Sequence, residues 1–236
     1  MAAADIRNII VLTGAGVSAE SGLATFRGPD GLWEGHRVED VATPEAFRRD
    51  PALVHQFYDA RRAKLASVSP NAAHLALARL ERDWPGGFLL VTQNVDDLHE
   101  RAGSKRLIHM HGELASGRCT LCDRRFPWSG PMGEGAICPH CAAVGNVRPD
   151  IVWFGEMPYE MERIDEALQG CDLFVSIGTS GAVYPAAGFV QTARYCGART
   201  IEANLEPSIS SIFFHESRIG KAGELVPKFV QELLGR

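Results

Sequence analysis

Ile6-Arg7-Asn8-Ile9-Ile10-Val11-Leu12-Thr13-Gly14-Ala15-Gly16-Val17-Ser18-Ala19 is the stretch whose reading decides the fold class. Ile6 to Thr13 is apolar and β-branched, as suits a central strand of a parallel sheet, which is buried on both faces. The run stops at Thr13-Gly14, and Gly14 to Ala19 matches G-x-G-x-x-A. In that pattern glycines let the main chain approach a pyrophosphate at a helix N-terminus. A tight strand-to-helix turn without a ligand would use the same glycines, so the match alone leaves both readings open.

The next segment departs from the common dinucleotide-binding unit, which has another strand ending in an acidic residue about 20 positions on. Glu39 and Asp40 stand at roughly that distance, but no apolar strand leads to them. Ser21 to Trp33 is instead a glycine-rich loop with two aromatics and one arginine, expected to lie as a flap over a cofactor. Asp50-Pro51 then starts a helix, Asp50 as cap and Pro51 at the first helical position. At about 100° per residue, Leu53, Val54, Phe57, Tyr58, Ala60 and Leu65 form one apolar arc. Arg61 falls in its middle and Arg62 points away from its centre. Spacing leaves two roles for Arg61: snorkelling over its aliphatic stem, a course equally open to Lys64, or pairing with Tyr58 to grip a carboxylate. Asn71 to Glu81 reads as a further helix with Ala72, Leu75, Leu77, Ala78 and Leu80 mostly inward and His74 packed.

The apolar run Phe88 to Val91 leads into Thr92-Gln93-Asn94-Val95-Asp96-Asp97-Leu98-His99-Glu100, with His109-Met110-His111-Gly112-Glu113 a little further on. So many amides, carboxylates and imidazoles beside a core strand are costly unless chemistry uses them. His109 and His111 would share one face of an extended segment, leaving three candidate bases with His99.

Cys119-x-x-Cys122 and Cys138-x-x-Cys141 are two hooks of the kind that supply four thiolates to a tetrahedral zinc. Four protein ligands leave no open position, so the metal would be structural. His140 reads as a bystander, and Cys171 and Cys196 as ordinary core residues.

Further on, Arg148 to Glu156 is extended. Met161 to Gln169 and Phe189 to Tyr195 are helices, Leu173 to Ile177 and Thr200 to Leu205 strands, and Pro227 to Leu234 a closing helix. Alternating strands and helices around a ribbon insert predict an α/β, Rossmann-like parallel sheet domain with a small zinc-ribbon plus helical domain inserted. The expected division is 1-34, 71-115 and 147-236 for the sheet domain, with 35-70 and 116-146 as the helical and ribbon parts of the small one. A chain of 236 residues with net charge −5 is large enough for this, and its charge argues against a dedicated nucleic-acid binder. No apolar run reaches the ~18 residues of a membrane span. Six cysteines without an export signal suggest reduced thiols or metal ligands in the cytoplasm.

In order along the chain, Gly14-Ala15-Gly16-Val17-Ser18-Ala19-Glu20-Ser21-Gly22, Phe26-Arg27, Thr92-Gln93-Asn94-Val95-Asp96, His111-Gly112, the paired hooks, Phe154-Gly155-Glu156 and Gly178-Thr179-Ser180 resemble the sirtuins, NAD-dependent protein-lysine deacylases. The likeness is greatest to bacterial CobB-type enzymes and the desuccinylase/demalonylase class.

The resemblance implies that NAD contacts Gly14, Ala15, Gly16, Ala19, Glu20, Thr25, Phe26, Arg27 and Trp33, and also Gly178, Thr179 and Ser180. Asn204, Leu205, Glu206 and Ala222 would line the adenosine end, Ala222 less securely because Ser208 to Lys221 matches poorly. Gln93, Asn94, Val95 and Asp96 would hold the nicotinamide riboside, Phe26 would shield the reactive carbon, and His111 and Asn94 would be catalytic, His111 as general base on the ribose hydroxyls. Tyr58 and Arg61 would grip a succinyl or malonyl carboxylate in a pocket widened by Ala42. Val152, Phe154, Gly155, Glu156, Val183 and Tyr184 would line the channel of the acyl-lysine protein substrate, with Gly155-Glu156 and Val183-Tyr184 pairing with its backbone by strand addition. The family assigns His99 to helix packing and His109 to strand support. Asp150 stands where relatives often carry histidine. Cys119, Cys122, Cys138 and Cys141 would bind one structural Zn2+. A monomer is expected. Two other readings stay open: a protein mono-ADP-ribosyltransferase on the same cofactor site, and a non-catalytic zinc-ribbon module that binds nucleotide.

Overall fold

Strand β1 (Asn8–Thr13) lies in the middle of a six-stranded parallel sheet, as its unbroken apolar run requires. The structure, a computed structural model, describes residues 6–25, 33, 35–133 and 135–235. After β1 come α1 (Gly16–Ala19), α2 (Val38–Val41), α3 (Pro44–Arg49), α4 (Pro51–Leu65), α5 (Ala72–Asp83), β2 (Gly87–Thr92), α6 (Leu98–Ala102) and β3 (Leu107–His109). Next are β4 (Gly112–Cys119), β5 (Arg125–Pro127), β6 (Val147–Ile151), α7 (Met161–Gln169) and β7 (Leu173–Ile177). The chain closes with α8 (Phe189–Tyr195), β8 (Arg199–Asn204), β9 (Glu216–Ile219) and α9 (Ala222–Leu234).

The large sheet has the order β3-β2-β1-β7-β8-β9. The chain builds outward from β1 on one side through β2 and on the other through β7, and so opens a crevice at their carboxyl ends. Alternate residues of β1 serve the two faces. Ile9 and Val11 pack with Leu77, Leu80, Phe229 and Val230 from α5 and α9. Ile10 and Leu12 pack with Ile164, Leu168, Phe189 and Val190 from α7 and α8. A second, antiparallel sheet, β5-β4-β6, carries the cysteine hooks and meets α4 through a cluster holding Leu114, Ile151, Trp153 and Tyr58. The α/β architecture with a ribbon insert is therefore the one expected. Among the described residues no helix is long and apolar enough to cross a membrane.

Local differences have local causes. The first strand starts at Asn8, not Ile6, because the Arg7 and Asn8 amides donate to Asp172 Oδ2 at 2.9 and 2.8 Å instead of to the ladder. Asp50 caps α4 as read, its Oδ1 accepting from Leu53 N at 3.0 Å. The buried face of α5 is turned relative to expectation. Ala73, His74 and Ala76 are inside, whereas Ala72 faces out and Leu75 is 55% exposed. Asn71 and His74 form a reciprocal cap, which commits the imidazole, and with it that face, to the interior. The last strand of the expected set ends at Asn204, leaving Leu205 exposed, and the closing helix begins at Ala222, with Pro227 inside it. Cys171 is buried as expected, but Cys196 is exposed, since α8 ends at Tyr195 and releases it from the packed face.

Candidate active site

A cleft of about 920 Å³ opens at the carboxyl ends of β1, β7 and β8. Its floor is two turns in contact. Gly14 N donates to Ile177 O at 3.0 Å and Gly16 N to Gly178 O at 2.8 Å. A Cβ on Gly14 would lie 2.8 Å from Gly178 O, and one on Gly16 2.7 Å from Gly178 Cα. Both glycines are thus required by the approach of the second turn, whatever ligand lies above them. Ala15, Thr179 and Ser180 join this floor, and Asn204, Leu205, Glu206 and Ala222 line the wall beyond it.

Two residues expected at the nucleotide are not among those that line the cleft. Neither Ala19 nor Glu20 lines the cleft; the Glu20 carboxylate turns away to accept from Gly223 N at 2.6 Å, tying α1 to the first turn of α9. Thr25 and Trp33 line the cleft, while Phe26, Arg27 and most of the expected flap lie outside the described residues.

After β2, a buried polar cluster forms the inner end. Asn94 Nδ2 donates to Ser18 Oγ at 3.1 Å, and Ser18 Oγ donates to Asp96 Oδ2 at 3.0 Å. Asp96 Oδ1 accepts from Leu98 N at 3.1 Å. Burial raises the Asp96 carboxyl above the usual range, the bonds from Leu98 and Ser18 only moderating it. Gln93 and Val95 line the same end, and Gln93 Nε2 donates to Thr179 Oγ1 at 3.2 Å, joining it to the floor. Sequence reasoning gives Ser18 no role of its own, although it sits inside the glycine motif. The one signal that could have found it is its position four residues after Gly14.

The three histidines separate sharply. His99 has no exposed surface, faces Thr13 Oγ1 at 3.1 Å and is pushed well down by burial, as a packing residue would be. Burial also works against charge on His109, but the hydrogen bond and charge of Glu100 outweigh it and raise the imidazole. The extended segment expected to carry His109 and His111 on one face is not continuous. Strand β3 ends at His109, Met110 is buried, and Gly112 at φ +82° turns the chain, so only His111 reaches the cleft. Its Nδ1 lies 3.2 Å from Gln93 O, and burial lowers its pKa.

The outer end of the cleft is built on α4. Tyr58 is fully buried, and its hydroxyl accepts from Trp153 Nε1 at 3.0 Å, which leaves the phenolic proton free to donate. Burial raises the Tyr58 pKa, so it stays a neutral donor. Arg61 lines the cleft with its guanidinium carbon 3.2 Å from the Phe57 ring centroid and 5.0 Å from that of Trp33, and Nη1 donates to Phe57 O at 2.6 Å. Its neighbour departs from the helical wheel. Arg62 is 8% exposed; its Nε donates to Leu114 O at 2.6 Å and its Nη1 to Asp59 Oδ1 at 2.5 Å. Helix α4 is covered on two flanks, by the cleft walls and by β4, so a residue off the centre of the arc is still interior.

Ala42 and Lys64 also line this end. Val152, Phe154, Gly155, Glu156, Val183 and Tyr184 form the mouth, with Phe154 and Tyr184 exposed. The Glu156 carboxylate is turned inward. It takes both Arg148 Nη1 at 2.7 Å and Nη2 at 3.0 Å, plus Trp153 N at 2.9 Å, so the side chain is committed within the protein. Asp150 is committed likewise, accepting from Tyr159 Oη at 2.7 Å and Ser116 Oγ at 2.9 Å.

The four hook cysteines bring their sulfurs within 4.8 Å of one another, with Cys119–Cys141 and Cys122–Cys138 both at 3.7 Å. A tetrahedral zinc with Zn–S bonds of about 2.3 Å needs sulfurs roughly 3.8 Å apart, so the set fits. Matching turns hold the hooks: Asp123 N donates to Cys119 O at 2.9 Å and Ala142 N to Cys138 O at 3.0 Å. His140 is outside the ligand set and stacks edge-on against Phe126.

The Sir2 family sequence profile matches residues 14–185. A protein of Vibrio vulnificus (strain YJ016) described as an NAD-dependent protein deacylase is 58% identical over 230 residues, 97% of this chain and 94% of its own. A solved structure of a Sir2 homologue–NAD complex superposes with a TM-score of 0.89 at 40% identity, covering 98% of this chain and 91% of the other. The structure of Sir2Af2 bound to a myristoylated histone peptide superposes with a TM-score of 0.76 at 34% identity, covering 98% and 92%.

Proposed function

Because this chain belongs to the Sir2 family, we propose that it is an NAD-dependent protein-lysine deacylase acting on both acetyl-lysine and lysine carrying the acidic succinyl or malonyl group. The observation that carries the reading is a single cleft lined at one end by Asn94, Asp96 and His111 and at the other by Tyr58 and Arg61.

In this reading NAD is the co-substrate whose ADP-ribose accepts the acyl group; acyl-lysine, NAD and one water yield nicotinamide, free lysine and 2′-O-acyl-ADP-ribose. The glycine floor and the wall from Asn204 to Glu206 bind its nucleotide part. Asn94 and Asp96, held by Ser18, orient the nicotinamide riboside, and preorganised dipoles of this kind stabilise developing charge better than mobile water does. His111 takes the proton from a ribose hydroxyl on its free Nε2. The mouth residues align the peptide so that its weak amide oxygen is positioned for attack, an effect of proximity. Arg61 and the Tyr58 hydroxyl receive the distal carboxylate of an acidic acyl chain, the guanidinium as a charged fork and the phenol as a neutral donor. An acetyl group reaches neither, and its removal relies on the inner end alone. Four cysteinates hold one structural zinc and take no part in the reaction. The proposal includes a monomer in the cytoplasm, where thiols stay reduced.

The test is direct. Purified protein is incubated with NAD and either an acetyl-lysine or a succinyl-lysine peptide, and peptide mass and nicotinamide are followed. Equimolar deacylated peptide and nicotinamide are expected from both; absence of deacylated product overturns the reading.

A further inference from the structure

Glu202, on β8 two residues before Asn204, has no exposed surface and does not line the cleft. Its carboxylate is met by hydroxyls. Ser208 Oγ donates at 2.6 Å and Ser217 Oγ at 2.7 Å, Ser211 Oγ donates as well, and Asn204 Nδ2 approaches at 3.4 Å. Burial pushes the carboxyl up, but the bonds from Ser208, Ser211 and Ser217 outweigh it and keep the group below the usual carboxylate range. A carboxylate accepts from all three hydroxyls at once; an amide keeps one acceptor oxygen and sets an NH2 at the other position, where a hydroxyl would have to turn round to accept and the Asn204 Nδ2 would face another donor.

These donors come from separate pieces of the adenosine end. Ser208 lines the cleft, Ser211 opens the short turn that ends at Phe213, and Ser217 lies on β9. Asn204 continues the linkage to the cleft floor, its Nδ2 donating to Thr179 O at 3.1 Å and its Oδ1 accepting from Thr179 N at 3.0 Å. Ile209 N donates to Ser180 O at 3.0 Å, fastening the same loop to the same turn. One buried carboxylate therefore ties β8, β9 and the 205–211 loop together and, through Asn204, reaches the 178–180 turn.

We propose that Glu202 is a positioning residue that sets the shape of the nucleotide-binding wall by holding Ser208, Ser211, Ser217 and Asn204, without touching the nucleotide itself. The inference rests on the proposed NAD-dependent activity. Its consequence is selective. Loss of the carboxylate loosens the adenosine end and leaves the His111 end, built on β2 and β3, as it was.

The experiment compares the parent, Glu202→Gln and Ser211→Ala. Measured are KM for NAD and kcat at saturating acyl-peptide, the Kd of ADP-ribose by calorimetry, and inhibition by nicotinamide. For Glu202→Gln a roughly tenfold rise in both KM for NAD and ADP-ribose Kd is expected, with kcat within about twofold and nicotinamide inhibition unchanged. Ser211→Ala removes one donor and should shift the same two constants about threefold, which keeps the test decisive if the first variant fails to fold. The inference alone is overturned if the parent is active but both soluble variants keep its KM and Kd, or if kcat and nicotinamide inhibition deteriorate along with them. A parent that neither binds ADP-ribose nor deacylates overturns the NAD reading and this inference together.

Discussion

His111 Nδ1 lies 3.2 Å from the main-chain oxygen of Gln93. A carbonyl only accepts, so Nδ1 is the protonated nitrogen and Nε2 keeps its lone pair toward the cleft. Burial lowers the imidazole pKa, and the Gln93 bond only partly opposes this. The ring is therefore neutral, and a competent base, at pH 7. kcat/KM is expected to be flat above neutrality on the acid side and to fall with unit slope as pH drops through a pKa below the ordinary value of about 6.5. His111→Tyr should lower kcat roughly 10²- to 10⁴-fold. A pH–rate profile checks this, and an acid limb centred above pH 7 would contradict it.

Stability has its own acid dependence. Burial takes His74 down to about 4 and His99 well below its ordinary value. In the unfolded chain both titrate near 6.5, so between these values the unfolded state binds protons that the native state refuses. Their contribution is fully present above about pH 6.5 and is lost as pH falls toward 4, at roughly 1.4 kcal/mol per group and pH unit. His109, raised by Glu100, works in the opposite sense. Urea midpoints should therefore fall between pH 7.5 and 5, and His74→Gln should flatten that fall. An unchanged slope in the variant would remove His74 from the account.

Arg61 and Arg62, adjacent on α4, should fail in different ways. Arg61→Met takes the charged fork from the cleft, so kcat/KM for a succinyl-peptide should drop roughly 10- to 100-fold, while the acetyl-peptide value changes by less than about threefold. Equal losses on the two substrates would sink the carboxylate role. Arg62→Met instead strands Asp59, whose carboxylate otherwise pairs with the guanidinium at 2.5 Å and accepts from Met132 N. Breaking such a buried pair costs roughly 3 kcal/mol. Its expected signature is a lower denaturation midpoint with no change in the ratio of the two activities.

Removing the metal should unfold the ribbon. One zinc per chain is expected by elemental analysis, and stripping it with a chelator should lower Tm and activity together, as should Cys138→Ser. The hooks share a small core with Phe126, Met132 and Val147, and the metal would join the two hooks directly. A zinc-free protein that kept both Tm and activity would show that the four sulfurs are dispensable.

Much of the site is legible in the sequence because its signals are local. Cys119, Cys122, Cys138 and Cys141 declare a ligand set by spacing alone, and Gly14 and Gly16 mark a turn that admits no side chain. The bounds of β7 follow from an apolar run, and those of α7 and α8 from amphipathic stretches set off by Gly170 and Gly188. Ser18, Glu20 and Cys196 are less legible. A hydroxyl's role depends on whether Asn94 and Asp96 arrive beside it, and a carboxylate's on whether a helix start such as Gly223 does.

The chain's own pattern of apolar runs, glycines and paired cysteines determined a parallel α/β sheet with a ribbon insert and a polar loop at its carboxyl edge. Those features come from propensity and spacing within a few residues of each position. Only the tertiary structure decided the order β3-β2-β1-β7-β8-β9, the break after His109 that leaves His111 alone of the three histidines lining the cleft, the burial of Arg62 beside the cleft-facing Arg61, and the serine shell around Glu202. Each of these depends on which groups from distant parts of the chain come to lie against a side chain. A helical wheel supplies an angle; it does not say whether a second wall, such as β4 against α4, stands on that side.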